Sequence, residues 1–289
     1  MNTLKLMGRI CLTLIVVVAA VFVGRHLWHY YMEEPWTRDG RVRADVVDIA
    51  PDVTGLVSDV FVKDNQIVHK GDILFRVDRS RFELALAQAE AALTEAKSTW
   101  DLAKSERERN ERLGDSASAQ TKEKSVATEQ QAEAAYMKAM AARDLAKLDL
   151  ERTDVKTTVN GSVTNLNLQP GDFVTRGAAK VAVVDSDSLR IEAYFEENKL
   201  PRIQKGDRAL VHILGQKGDL EGHVDSIATG IEDRERTSSS GLLANINPTF
   251  SWVRLAQRVP VRIHLDKVPE GVKLISGLTA TVDIKPKSN

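Results

Sequence analysis

The chain has one cysteine, few aromatic residues and almost no net charge. With a single cysteine, Cys11, the chain cannot form an intrachain disulfide, and Cys11 lies at the start of the first apolar run and not after it, which does not suit lipid attachment. The formal net charge of -1 does not indicate nucleic-acid binding. Aromatic residues make up 5% of the 289 residues and charged residues 28%, which suits long solvated surfaces. This length allows about two or three compact units.

Motifs for enzyme chemistry are also missing. The chain has no Walker P-loop, no H-E-x-x-H, no C-x-x-C and no G-x-S-x-G. His212 and His223 could bind a metal across a hairpin, but histidines on surface strands are far commoner. Carboxylates lie mostly on helical faces beside basic residues, where a solvated surface is the default. The sequence therefore predicts a protein that is not an enzyme and has no metal and no cofactor.

Glycine and proline are nearly absent from one long stretch. Between Gly71 and Gly161 there is no proline and only one glycine, Gly114, close to the middle. Since these residues are the strongest helix breakers, the stretch 79–153 predicts two long helices joined by a tight turn. Each arm has about 33 residues, or roughly 50 Å of helix. The alternatives are a rod that projects to a partner and an ordinary helical bundle.

The first arm carries a heptad pattern, which predicts a coiled-coil hairpin. Its apolar positions recur at alternating steps of four and three: Phe82, Leu86, Ala89, Leu93, Ala96, Trp100 and Ala103. Arg107 and Asn110 continue the register, so the stripe becomes polar toward the tip. In the second arm we predict a stripe of small residues that lets the arms approach closely: Ala135, Ala139, Ala142 and Ala146, beside Leu145 and Leu148.

An internal repeat flanks the predicted helices. Residues 55–71 align with residues 161–177 without a gap. Both copies alternate apolar and polar residues, as half-buried strands do. Their shared glycines are Gly55 with Gly161 and Gly71 with Gly177. Neither copy is long enough to bury its own apolar face, so we predict that residues 51–78 and 154–186 close on each other as one β-sandwich.

The N-terminus predicts a membrane anchor. Ile10–Gly24 is uncharged and apolar, with Lys5 and Arg9 before it and aromatic residues after it. Basic residues favour the cytoplasmic side of a membrane, and tryptophan and tyrosine favour the interface. Residues 1–32 therefore predict a cytoplasmic N-terminus and one transmembrane helix. The alternative is a cleaved signal peptide, although no clear Ala-x-Ala site follows the apolar run.

Two half-motifs similar to biotinyl and lipoyl carrier domains, separated by a helical hairpin, resemble the HlyD-like membrane fusion proteins, also called periplasmic adaptors. Residues 35–57 and 252–263 resemble the AaeA-type adaptors of aromatic carboxylic acid efflux pumps. The resemblance implies a homo-oligomer, a trimer or hexamer, that links an inner-membrane transporter to an outer-membrane TolC-type channel. It implies a single-pass protein of the Gram-negative inner membrane, mostly in the periplasm, that exports aromatic carboxylic acids.

Two other interpretations remain open. One is an adaptor of a drug-export pump, of the major-facilitator or ABC class, or of a type I secretion system. The other is a membrane-anchored biotinyl or lipoyl carrier. It is the less favoured, because long helices stand where a carrier presents its lysine.

The predicted fold is mainly β with a long α-helical coiled-coil hairpin, an elongated α+β multidomain chain. Short strands separated by turns predict a β-barrel over residues 187–235. A Ser- and Gly-containing stretch predicts a flexible loop at 236–250. Residues 33–50 would form the first part of a membrane-proximal domain, and residues 251–289 would end the barrel and return to that domain.

The helical turn is the candidate contact with the outer-membrane channel. The family's tip pattern pairs an arginine with a leucine four residues later and a serine in the next helix. Arg109 and Leu113 match, but Gln120 stands where the serine is expected. The alternative is a plain helix end with Leu113 as its capping hydrophobe. The predicted contact residues are Arg109, Leu113, Gly114, Ser116 and Ser118.

Overall fold

The computed structural model describes residues 2–231, 236–237, 245–246, 256–269 and 272–286. The chain divides into two compact units. One consists of Met1–Asp45 together with Ser188–Asn289, and the other of Val46–Asp187.

The elements alternate between short strands and a few long helices. The helices are α1 (Asn2–Trp28), α2 (Ser80–Arg112) and α3 (Ala119–Glu151), with shorter helical turns at His29–Glu33, Gly114–Ser116, Ser186–Ser188 and Leu200–Arg202. The strands are β1 (Trp36–Arg43), β2 (Val46–Ile49), β3 (Gly55–Val60), β4 (Ile67–Val68), β5 (Ile73–Val77), β6 (Asp154–Lys156), β7 (Gly161–Thr164), β8 (Phe173–Val174), β9 (Val181–Asp185), β10 (Arg190–Glu196), β11 (Arg208–Ile213), β12 (Asp219–Ile227), β13 (Arg236–Thr237), β14 (Asn245–Ile246), β15 (Arg258–Leu265) and β16 (Thr279–Lys285).

The unit Val46–Asp187 contains two four-stranded sheets, in the orders β2-β9-β7-β4 and β6-β5-β3-β8. Both sheets contain strands from both copies of the sequence repeat. β3 of the first copy pairs with β8 of the second, and β7 of the second pairs with β4 of the first. The buried apolar residues of both copies form one core around Leu74, Phe75 and Val163. The prediction that the two repeats close on each other is therefore confirmed.

The two copies of the repeat donate backbone hydrogen bonds to each other at equivalent positions. Asn65 N donates to Val163 O at 3.0 Å, and Gly171 N, the equivalent of Asn65 in the second copy, donates to Val57 O at 2.8 Å. Asn65 and Gly171 also share a left-handed backbone, with φ of 63° and 96°. Asparagine and glycine tolerate this conformation better than other residues. The two sequences therefore differ at this turn while the backbone geometry is kept.

The repeated glycines serve two distinct purposes. Gly71 and Gly177 adopt φ of 97° and 77°, and a Cβ on either would meet nothing within 4 Å. Gly55 and Gly161 lie in strands where a neighbour approaches closely. A Cβ on Gly161 would overlap the backbone carbonyl of Val184, whereas one on Gly55 would lie 2.7 Å from a methyl of Val77. Conformation fixes the first pair of glycines, and space fixes the second.

The glycine- and proline-poor stretch forms two helices of 33 residues each, α2 and α3. The predicted stripe of α2 is its buried or half-buried face, and Ala103 is only 5% exposed. The facing stripe of α3 repeats at alternating steps of three and four. It consists of Lys122, Ser125, Glu129, Ala132, Tyr136, Ala139, Arg143, Ala146 and Leu150.

The predicted stripe of α3 is wrong for two of its four alanines and for both leucines beside it. Ala135 and Ala142 are exposed, and Leu145 and Leu148 are 60% and 44% exposed. The helices instead meet at Trp100 and Tyr136, whose rings stack with centroids 5.1 Å apart. The register is therefore set by large and charged side chains and not by the alanines alone.

The base of the hairpin is held by adjacent strands. α2 follows β5 and α3 precedes β6, and these strands pair with each other. Arg76 Nε lies 2.6 Å from Asp154 Oδ1, and this hydrogen-bonded carboxylate raises the pKa of Arg76. Val77 N donates to the carbonyl of Thr153, a fully buried residue, at 2.9 Å. The start of α2 and the end of α3 are thus fixed to one sheet of the sandwich.

The other unit contains a closed six-stranded antiparallel barrel, in the order β1-β10-β15-β12-β11-β16. β1 closes it by pairing with both β10 and β16. Alternate residues point inward, as the burial pattern of β10 shows, and Phe195, Ile191 and Ile263 are fully buried. Such closure leaves no free strand edge within the barrel.

This barrel corrects the predicted division of the chain. The sequence predicts a separate membrane-proximal domain made from residues 33–50 and the end of the chain. In the structure β1, β15 and β16 are barrel strands, and β2 belongs to the sandwich instead. The separate domain is therefore wrong for the described residues. The predicted loop 236–250 lies mostly outside the described residues, as does the first part of 252–263; β13 and β14 pair with each other.

Candidate functional site

The turn between α2 and α3 is compact. α2 ends at Arg112, and Leu113 N donates to Arg109 O at 3.1 Å. Gly114 follows with φ of 53°, the left-handed conformation that commonly ends a helix. The short helical turn Gly114–Ser116 then leads to Ser118. This accounts for the single glycine of the stretch, since the reversal requires a positive φ at Gly114.

Ser118 has a structural role at the start of α3. Its backbone is extended, and its hydroxyl oxygen accepts a hydrogen bond from Thr121 N at 3.2 Å. The Thr121 hydroxyl lies 2.8 Å from the same oxygen. Serine is among the preferred N-cap residues because it satisfies a free amide of the first turn. Thr121 is not among the predicted tip residues, and the signal that could indicate this contact is the serine at the helix N-cap.

Leu113 is exposed at the turn together with charged neighbours. It is the residue that caps α2, yet its side chain is 51% exposed and so does not fold back fully onto the helix. Arg109, Ser116 and Ser118 are exposed as well, and Gly114 is half-buried. The predicted tip residues therefore share one end of the hairpin, where an apolar side chain is surrounded by polar groups.

Ion pairing distinguishes two arginines near the tip, Arg107 and Arg109. Arg107 Nε lies 2.7 Å from Glu129 Oε2 on α3, and the Glu129 side chain is only 13% exposed. Within the described part of the chain, Arg109 has no ion-pair partner. Arg107 therefore joins the helices, while Arg109 is available to a partner. Arginine can donate to the carbonyl groups at the end of a partner helix, where the helix dipole is negative.

An apolar helix lies near the N-terminus of the chain. Among the described residues, Thr13–Glu33 is the one segment long and apolar enough to cross a membrane, with a mean hydropathy of 1.4. Its side chains are not covered by protein, as at Phe22, which is 75% exposed. Tyr30 stacks on Trp36 at 5.6 Å, just after the apolar run. Aromatic residues in such a position are typical of a membrane interface.

Asp283, on β16, is a charged residue of the barrel with an unfavourable environment. Burial raises its pKa, with Lys285 acting against the shift and Glu34 adding to it. A carboxylate with a raised pKa in the folded state is favourable while protonated, and this stability is lost as the pH rises through the folded pKa. At neutral pH the ionised group is therefore destabilising.

We expect Asp283→Asn to raise the melting temperature at pH 7. The gain should shrink as the pH falls and disappear once the aspartate of the parent protein is protonated in both states. Thermal unfolding followed by circular dichroism at several pH values measures this. Asp225→Asn, at a half-exposed position of β12, controls for the change in net charge. An equal gain from both substitutions, or a gain independent of pH, would contradict the assignment.

Two family models match this architecture. Residues 45–186 match the RND MFP barrel-sandwich hybrid domain, and residues 188–285 match the AAEA-like β-barrel domain. These ranges correspond to the sandwich with its hairpin and to most of the barrel. Together they define a membrane fusion protein, the adaptor class of efflux pumps.

Solved structures show the same fold. The membrane fusion protein Spr0693 from Streptococcus pneumoniae R6 has a TM-score of 0.66 at 17% identity, over 86% of this chain and 98% of that one. A MacA-MexA chimera containing the Pseudomonas aeruginosa MexA α-hairpin domain has a TM-score of 0.61 at 22% identity, over 88% and 81%. MacA from Actinobacillus actinomycetemcomitans has a TM-score of 0.52 at 20% identity, over 87% and 79%. The chain belongs to the membrane fusion, or periplasmic adaptor, protein family, and its barrel is of the AAEA-like type.

Proposed function

We propose that this chain is the periplasmic adaptor subunit of a tripartite efflux pump. It links an inner-membrane transporter to an outer-membrane channel of the TolC type, and it exports aromatic carboxylic acids. The observation that carries the proposal is a sandwich of two exchanged half-motifs, interrupted by a helical pair whose free turn exposes Leu113 beside Arg109. The AAEA-like barrel supports the choice of cargo.

The chain acts as an anchored structural link and not as an enzyme. Thr13–Glu33 holds it in the inner membrane of a Gram-negative cell, with the β domains and the hairpin in the periplasm. The transporter supplies the energy, and the β domains dock on it. The helical pair functions as a coiled coil, which the matched alternating stripes of α2 and α3 support.

Several copies are needed for a conduit, because one thin helical pair encloses nothing. We propose a trimer or hexamer in which hairpins pack side by side. Large apolar side chains on the outer surface of the pair support this contact with a second copy. They include Leu84, Leu102, Met137 and Leu145, which are 72%, 59%, 57% and 60% exposed. Covering such residues in an oligomer removes apolar surface from water.

Site-specific photo-crosslinking tests the two contacts separately. A photoreactive residue replaces Leu113 at the tip or Leu84 near the base of the same helix, in cells that express the whole pump. We expect the Leu113 position to form an adduct with the outer-membrane channel. The Leu84 position lies about 44 Å away along the helix axis, and we expect it to form adducts with a second copy of the chain.

Mass spectrometry of the adducts identifies each partner. Channel adducts from Leu84 as frequent as those from Leu113 would contradict a contact confined to the tip. A Leu113 adduct with the inner-membrane transporter alone would contradict the proposed orientation of the hairpin. The transporter itself is identified by co-purification with the full-length chain.

A further inference from the structure

The barrel unit contains a polar cavity near the end of the apolar helix. Its volume is about 370 Å³. The walls come from the first half of β1, from β10 and the turn after it, and from the start of β15. The lining residues are Trp36, Thr37, Arg38, Asp39, Tyr194, Glu196, Lys199 and Arg258.

Lys199 is nearly buried in the wall of this cavity. The residue is 7% exposed, and its Nζ donates to the carbonyl of Trp36 at 3.1 Å. No carboxylate lies within 4.0 Å of its ammonium group among the described residues. An ammonium group has three protons to donate, and burying a charge is costly unless it is paired. Its Nζ also lies 5.2 Å from the centroid of the Trp36 ring. Lys199 is thus a buried cation whose partners among the described residues are a carbonyl and an aromatic ring, with no counter-ion.

The other charges of the cavity leave it positive. Arg258 and Asp39 neutralise each other through a hydrogen-bonded ion pair of 2.6 Å. Arg38 and Lys199 remain as cations, and Glu196 remains as the opposing anion. An entering anion would be attracted by the first two and repelled by the third. Substitutions at Lys199 and Glu196 therefore have effects of opposite sign on the binding of an anion.

The walls indicate which kind of anion fits. The volume lies near the lower end of the range for small-molecule sites, about 300 to 1,000 Å³. Two of the lining side chains are aromatic, Trp36 and Tyr194, and none is aliphatic. The Trp36 ring stacks on Tyr30 and has the Arg38 and Lys199 cations 5.4 and 5.2 Å from its centroid, so Tyr194 is the aromatic wall left for a ligand ring. Trp36 is held in place by its Nε1, which donates to Tyr30 O at 3.0 Å. A planar ring matches such walls better than an acyl chain, which requires an aliphatic groove.

We propose that this cavity binds a small organic anion, a carboxylate carried on a planar ring, with Lys199 as its counter-ion. The inference gives the exported class of the proposed function a binding site on the adaptor itself, and it depends on that proposal only for the biological identity of the ligand. Binding can be measured without transporter or channel. A failure here would therefore leave the crosslinking test of the adaptor role unaffected.

Isothermal titration calorimetry of the full-length chain in phosphatidylcholine nanodiscs tests the site. Benzoate is the probe, benzamide is its neutral isostere, and acetate is the anion without a ring. We expect benzoate to bind at least about tenfold more tightly than either, because only benzoate offers both the charge and the ring. Nanodiscs containing phosphatidylglycerol measure competition by an anionic lipid.

Three variants assign the binding to named side chains. Lys199→Met keeps most of the aliphatic stem, and we expect it to weaken benzoate at least about tenfold without affecting benzamide. Glu196→Gln should tighten benzoate several-fold, since it removes the opposing charge. Lys205→Met changes an exposed lysine of the same unit and should have no effect. Circular dichroism verifies folding, and Glu196→Gln still decides the question if Lys199→Met does not fold.

Four results would overturn the proposal. They are no heat of binding at millimolar benzoate, equal binding of benzoate by the parent and folded Lys199→Met proteins, acetate binding as tightly as benzoate, and weaker benzoate binding by Glu196→Gln. A Lys199-dependent response to phosphatidylglycerol without benzoate binding would also overturn it, and would assign the cavity to lipid headgroups.

Discussion

Gly161→Ala is expected to unfold the sandwich at temperatures about 4 to 12 °C below those of the parent protein. The new methyl group would overlap the carbonyl of Val184, and it would also lie 3.2 Å from a methyl of Val183. Since a backbone carbonyl cannot rotate away as a side chain can, β7 and β9 must move apart. Overpacking costs about 1 to 3 kcal/mol and sometimes more, and each kcal/mol lowers the melting temperature of a unit the size of Val46–Asp187 by about 4 °C.

The other repeated glycines provide matched controls for this prediction. Gly177→Ala adds the same methyl group in open space, so its cost is only the strain of a left-handed backbone, about 1 to 2 kcal/mol. Gly55→Ala meets one side-chain methyl of Val77, which can adjust. Thermal unfolding of the four proteins should therefore rank Gly161→Ala as the least stable. A smaller loss for Gly161→Ala than for Gly177→Ala would show that close strand approach does not explain this glycine.

The sandwich was predictable from the sequence because the repeat can be seen by aligning two parts of the same chain. Two aligned copies of alternating residues, each too short to bury its apolar face, leave mutual burial as the available solution. The hairpin was predictable for a related reason, since the breakers Gly71, Gly114 and Gly161 mark its limits. In both cases the informative residues lie within, or directly beside, the element that they define.

The register of α3 was not predictable in the same way. Alanine is tolerated on exposed and buried faces alike, so Ala135 and Ala142 carried no information on which side faces α2. The true stripe includes Glu129, and its burial becomes favourable only when Arg107 is opposite. This ion pair joins two helices, and the sequence of neither helix alone indicates it.

The barrel was only partly predictable because its closure depends on distant partners. Alternation predicted strands near β10, β11 and β12, but β1 pairs with β10 across about 150 residues of chain. Nothing local in Val42 or Ile191 specifies that they share one core.

The hairpin tip was located from the sequence, whereas its chemistry needed the structure. Arg109 and Leu113 were chosen from a pattern, and exposure now supports both as candidates. Ser118 was chosen in the same way, but its hydroxyl already accepts the amide proton of Thr121. Its substitution would therefore change the helix cap and a channel contact together. The decisive experiment accordingly uses Arg109 and Leu113 and leaves the serine in place.

Cells in which Arg109→Asp and Leu113→Ser are combined should lose pump-dependent tolerance to aromatic acids, to the level of a strain lacking the adaptor. Truncating a central contact residue typically costs about 2 kcal/mol or more, close to a thirtyfold loss of affinity. Since every copy in a ring carries the same substitutions, the losses combine across the contacts that the ring makes at once. Each single substitution should reduce tolerance only in part.

The structure makes this a test of contact and not of folding. Both side chains are exposed, and the hydrogen bond between Leu113 N and Arg109 O uses backbone atoms alone, so the free energy of unfolding should change by only about 0.5 kcal/mol. Arg81→Asp combined with Leu148→Ser is the control, because it makes the same chemical changes at exposed positions near the base of the helical pair, away from the turn and from the residues proposed to contact a second copy. Normal tolerance in the tip variant at parental expression would exclude these two residues as the channel contact. Equal loss in the control would show that the outer surface of the helical pair, and not its turn, determines coupling.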